Sequence, residues 1–192
     1  AGVTPGAIGI VTGRGPVVGT ELTKNPDVHL VTLTGSTAVG IETAGYCAQN
    51  LTHVALELGG NDAFIVMDDA DVDLATDELI WGRMYNTGQV CCASKRFLVH
   101  RSRVEEFTAK AIEKIKKINR ADPSTDEAEM GCLISEKAAV KVEEQVNKTV
   151  EQGGKILLGG KRNGAFYDPT VIGDVPKDAD VAIDMEIFGP VV

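Results

Sequence analysis

The chain has 192 residues, 43% of them hydrophobic and 24% charged, with a formal net charge of −9 at neutral pH. That length and balance describe an ordinary globular protein of one large domain or parts of two. The acidic charge gives no electrostatic reason to bind nucleic acid or an anionic membrane. No apolar run approaches the ~20 residues needed to span a bilayer. The cysteines sit at 47, 91, 92 and 132 with no Cys-x-x-Cys pair, and His29, His53 and His100 are scattered. This argues against a metal site and for reduced thiols in a reducing, cytoplasmic compartment. The start at Ala1 carries no signal peptide and no initiator Met, so the chain reads as an internal piece of something longer.

In chain order, Ala7 to Val11 reads as a short buried strand. Gly13-x-Gly15-x-x-x-Gly19 follows, then a helical stretch to about Lys24. His29 to Leu33 reads as a second strand, running into Thr34-Gly35-Ser36-Thr37, where Ser36 is a suitable N-cap for a helix to about Asn50. Thr52 to Glu57 is a third strand, ending at Gly59-Gly60. Strands alternating with helices predict a parallel, doubly wound α/β arrangement. A second α/β run begins near Asn61. It holds a strand at Ala63 to Val66, a helix capped by Asp71 and running to about Tyr85, a loop around Cys91, and a strand from Arg96 to His100. Ser102-x-x-Glu105 has the form of a capping box ahead of a helix bearing Val104, Phe107, Ala111, Ile115 and Ile118. Ser135 opens a further helix that Gly153-Gly154 stops, and strands follow at Lys155 to Leu158 and Asp168 to Ile172. The domain boundary is placed at Gly59-Gly60, giving units 1–59 and 60–192.

Three segments carry chemistry. Asn86-Thr-Gly-Gln-Val-Cys91-Cys92 sets a thiol after a Gly-Gln step, where a thiolate nucleophile could act. Most cysteines are inert and buried, and residue type alone favours that reading. Glu57 lies between Leu56 and Leu58, a setting in which burial would raise a carboxyl toward the range of a general base; the alternative is a solvated Glu at a strand end. Two glycine-rich turns compete as a phosphate site. One is Gly13-x-Gly15, with Val18 beyond it, one residue too long for a dinucleotide fingerprint; the other is Gly35-Ser36-Thr37-x-x-Gly40, between a strand and a helix. Glu186-x-Phe188-Gly-Pro190 contains by itself only a turn signal.

Taken in this order, Glu57-Leu-Gly-Gly, the Cys91 segment and Glu186-x-Phe-Gly-Pro resemble the aldehyde dehydrogenase superfamily over the whole chain. The resemblance implies the second half of a Rossmann-type nucleotide-binding domain, followed by most of an α/β catalytic domain. It implies that Cys91, not Cys92, attacks the aldehyde, and that Glu57 activates the water that hydrolyses the resulting thioester. It implies NAD or NADP as cofactor: Gly35 and Ser36 at the pyrophosphate, Glu186 on the nicotinamide ribose, and Phe188 at the nicotinamide. Leu58 and Gly59 are placed beside it, with Gly15 and Val18 near the adenine. The substrate would be a small aldehyde, and the full-length form a homo-oligomer. Val90-Cys-Cys-Ala-Ser-Lys-Arg-Phe97 is most similar to the succinate-semialdehyde dehydrogenase group, but Tyr85 stands where some of that group have the Arg that binds the substrate carboxylate. The alternatives are an inactive or structural piece of such an enzyme and a cofactor-independent thiol esterase.

Overall fold

The computed structural model describes residues 2–192. It divides into two compact units that meet in the chain at Gly59 and Gly60.

The first unit opens with a π-helical turn, Gly15–Gly19, that runs into α1, Thr20–Lys24. Strands β1, Leu30–Thr34, and β2, His53–Glu57, pair in parallel with Thr34 opposite Glu57, and α2, Thr37–Gln49, connects them. Ser36 caps α2: its side chain accepts a hydrogen bond from the Val39 amide. The strand expected at Ala7 to Val11 does not form. Ile10 is 88% exposed and Ile8 and Val11 are also exposed, because β1 and β2 make a two-stranded ladder and neither pairs with this segment. An apolar run becomes a strand only where a neighbour takes its amides and carbonyls.

The second unit pairs β3, Asp62–Val66, in parallel with β4, Ser94–Val99. Helices α3, Val72–Leu79, and α4, Val104–Ile115, bury Val72, Leu79, Phe107 and Ile115 in one apolar cluster together with Val66 of β3. Asp71 caps α3 by accepting from the Asp73 and Leu74 amides. The α-helix ends at Leu79, earlier than expected, and continues as a π-turn, Ile80–Met84. The capping box at Ser102 does not form: α4 begins after Arg103 with no side-chain cap, and the Ser102 hydroxyl is engaged with His100 Nδ1 at 2.9 Å instead. A second cluster gathers Ala139, Val142 and Val146 of α5, Glu136–Glu151, against Leu133, Tyr167, Ile187 and Val191.

Strand β5, Lys155–Leu158, pairs antiparallel with β8, Val171–Gly173. A two-residue hairpin that the sequence reading missed, β6, Arg162–Asn163, and β7, Phe166–Tyr167, lies between them, and a single turn, α6, Asp180–Ile183, follows. Beyond α6 the chain returns, and Val192 exchanges backbone bonds with Thr170 and Ile172. Among the described residues no helix is long and apolar enough to cross a membrane.

Candidate active site

In the first unit the two motif loops leave the same end of the parallel ladder. Gly35 follows β1, and its amide donates to the Glu57 carbonyl at 3.0 Å. Ligands of open α/β sheets gather at this carboxyl end of the strands. Ser36 satisfies one of the amides that a helix leaves free in its first turn, and the end of α2 remains suited to an anion. Gly40 has a packing reason to be glycine: a Cβ there would lie 2.7 Å from a methyl of Leu58. Gly13 is similar, since a Cβ would meet the half-buried Val18 at 2.3 Å, whereas Gly15 is exposed with open space around it.

The expectation of a buried Glu57 is overturned. Its side chain is exposed. Residues two apart on a strand share a face. Leu56 and Leu58 therefore point away from Glu57, and Leu58 packs toward Gly40. Sequence neighbours of opposite phase cannot desolvate the carboxylate.

In the second unit the thiol loop is tightly specified. Asn86, Thr87 and Gly88 all adopt left-handed backbone, with φ of 49°, 58° and 71°. Thr87 is β-branched, so this conformation is strained and persists only where its surroundings over-determine it. Those surroundings are present. Asn86 Nδ2 donates to the Gln89 carbonyl, Gln89 Nε2 donates back to the Asn86 carbonyl, and Gln89 Oε1 accepts from the Ile134 amide. The Thr87 hydroxyl donates to the Gly131 carbonyl. Cys91 and Cys92 are both exposed free thiols.

Glu186 and Phe188 lie beside this loop. A Cβ on Gly88 would fall 2.2 Å from the Gly189 carbonyl oxygen, so the two segments touch backbone to backbone. Gly189 in turn packs on Val142 of α5. Gln145 holds the Glu186 carbonyl at 2.8 Å. Phe188 remains 43% exposed, an aromatic face beside the loop that is free to meet a ligand. Glu186 Oε1 is buried without a hydrogen-bond partner among the described residues. A buried, unsatisfied acceptor of this kind fits a ligand hydroxyl. Glu57 belongs to the first unit and this group to the second.

Two site residues escaped the sequence reading. Lys95 buries its side chain at the start of β4 and donates to the carbonyls of Val90, Cys91 and Ala93, with 2.6 Å to Cys91. Its ammonium also lies 3.5 Å from Glu186 and 3.9 Å from Asp62. Arg83 is 1% exposed and donates to the carbonyls of Gly88, Ile187 and Val191. Burial pushes its guanidinium down to about 10, with the Glu186 charge acting in the opposite direction. Arg83 stays protonated at neutral pH. A signal did exist: Val72, Thr76, Leu79 and Arg83 recur on one face at helical spacing, and a cation in an otherwise buried stripe needs a reason.

The aldehyde dehydrogenase family model matches residues 1–192. The chain belongs to the aldehyde dehydrogenase family. It is 40% identical over 193 residues to the NADP(+) succinate-semialdehyde dehydrogenase of Escherichia coli, covering 99% of this chain and 40% of that protein. It is 41% identical to the glutarate-semialdehyde dehydrogenase of Pseudomonas aeruginosa over a similar span, 99% of this chain and 40% of that one. Among solved structures, betaine aldehyde dehydrogenase of Staphylococcus aureus in complex with NAD+ superposes with a TM-score of 0.91 at 35% identity, over 95% of this chain and 37% of that chain. The expected fold class is therefore correct: this is a stretch of the aldehyde dehydrogenase α/β fold. The chain spans about two fifths of the length of these curated relatives.

Proposed function

We propose that this chain carries the thiol, the water-activating carboxylate and much of the cofactor-binding surface of an NAD(P)-dependent aldehyde dehydrogenase acting on a semialdehyde or another short-chain aldehyde. The observation that carries this reading is an exposed Cys91 on a strained, fully braced loop that touches the Glu186–Pro190 segment. Cys91 adds to the aldehyde carbon, and its loop holds the resulting thiohemiacetal in place. Bound NAD or NADP would supply the hydride acceptor that allows the carbon held on Cys91 to be oxidised to a thioester. Gly35 and Ser36 would hold its pyrophosphate, Glu186 a ribose hydroxyl and Phe188 the nicotinamide face. Leu58 and Gly59, and beyond them Gly15 and Val18, would line the rest. Glu57 takes a proton from the water that releases the acid. Its exposed carboxylate is open to solvent water. Tyr85 supplies no positive charge, so a substrate carboxylate would have to be bound by other groups.

The test compares Cys91→Ala with Cys92→Ala in the full-length protein. Aldehyde-dependent reduction of the cofactor should vanish in the first and persist largely in the second. The reverse ranking would overturn the assignment of the nucleophile.

A further inference from the structure

We propose that Arg83 and Lys95 form a two-cation clamp that locks the thiol loop to the Glu186–Pro190 segment, and that both are positioning residues setting Cys91 relative to the cofactor. The inference rests on the roles given to Cys91 and Glu186 above.

A buried cation is costly unless its donors are satisfied. Both cations meet that condition by gripping two chain segments. Arg83 reaches the thiol loop at Gly88, 3.2 Å away, and the cofactor segment at Ile187 and Val191, 2.8 and 2.6 Å away. No single-point donor could span these three carbonyls; the rigid fork of a guanidinium can. Lys95 approaches from the start of β4. Its ammonium donates to the carbonyl of Cys91 itself and lies 3.5 Å from Glu186 Oε1, an ion pair without a hydrogen bond, so one nitrogen neighbours both the nucleophile's backbone and the side chain proposed to hold the ribose. The glycine contact between Gly88 and Gly189 closes the same interface sterically. An apolar pair would fill this space at lower cost, but it would leave the carbonyls of Gly88 and Cys91 without these restraints. Hydride transfer depends on the separation of the thiol-bound carbon from the nicotinamide, and a misplacement near 1 Å can cost about 10²-fold in rate.

The test uses the full-length protein with Lys95→Met and Arg83→Lys, each measured for aldehyde-dependent cofactor reduction, cofactor-free ester hydrolysis and amide exchange of residues 88–93. Lys95→Met should lower the dehydrogenase kcat by about 10²-fold and raise the KM for cofactor, while ester hydrolysis, which needs only the thiol, falls much less. Arg83→Lys keeps the buried charge and guards against simple unfolding. It should show the same split on a smaller scale, with faster exchange in residues 88–93. Loss of both activities in equal proportion, or no change in their ratio with unaltered exchange, would overturn the clamp. A wild-type protein that oxidises no aldehyde, yet whose loop exchange still rises in both variants, would instead overturn the functional reading and leave the clamp standing.

Discussion

The unit through Gly59 and the unit from Gly60 carry comparable motifs but bury very different amounts of apolar surface. In the second, two clusters built on Leu79, Phe107 and Ile115 and on Val142, Val146 and Tyr167 exclude water. In the first, Cys47 is the buried apolar side chain among the described residues, alongside Thr23, Thr43 and Gly40. Ile8, Ile10, Val11, Ile41 and Val54 face outward. A two-stranded ladder with one connecting helix removes too little apolar area to offset chain entropy. Its apolar side chains are patterned for a larger sheet. The unit proposed to bind the nucleotide is therefore the one with the smaller core of its own, although the second unit also leaves Ile65, Trp81 and Ile134 exposed.

The sharpest way to break this comparison is to separate the units. Residues 60–192 should unfold cooperatively in urea, while residues 1–59 should give the circular dichroism of an unfolded chain. A cooperative transition in residues 1–59 would show that the exposed apolar residues do not limit its stability. The chain of residues 1–192 should also bind NAD weakly by calorimetry, since half of the proposed site rests on that unit.

A second test concerns the division of labour. In the full-length protein, Glu57→Gln should keep the pre-steady-state burst of reduced cofactor while steady turnover falls by about 10²–10⁴-fold, the usual contribution of a general base. The thiol stays intact on the second unit while water activation fails on the first. If the burst disappears with turnover, Glu57 serves the thiol rather than the water.

A third test sharpens the energetic contrast. Leu79→Ala, in the middle of the first cluster of the second unit, should cost about 2–5 kcal/mol. Val54→Ala, on an exposed strand of the first unit, should stay within about 0.5 kcal/mol. Denaturant midpoints of the two variants check the difference.

The smallest expected effect is on acid stability. The Asp73 carboxyl, hydrogen-bonded to Lys110, and that of Glu113, paired with Lys117, are held below the ordinary carboxylate range. So are those of Asp122, which accepts from the Ser124 amide, and Asp180, bonded first to Lys148 and then to Gln152. All four lie in the second unit. A depressed carboxyl contributes stability that is present above its unfolded value and is lost as pH falls through its folded value. Acid should therefore loosen the second unit slightly, below about pH 4. The effect should shrink in high salt because these groups are exposed. A pH titration of the urea midpoint of residues 60–192 at low and high salt measures it. Tyr167 behaves differently: burial pushes its phenol up to about 12, and its hydroxyl has no partner among the described residues.

Local chemistry in the sequence determined much of this protein. The Ser36, Asp71 and Ser135 caps, the glycine stop at Gly153, the parallel pairing implied by alternating strands and helices, and the family itself all follow from short-range patterns. Such features depend on a residue and its neighbours within one turn or one strand. Tertiary structure decided what depends on distant partners. Ala7 to Val11 stays irregular because, among the described residues, no strand pairs with it, and Ser102 binds His100 rather than capping α4. Glu57 is exposed because its flanking leucines face the other way. Arg83 and Lys95 join the candidate site because folding carries Ile187 and Val191 to the first and Glu186 to the second, partners far away in the chain that cannot be read from a cation's position in a helix or strand.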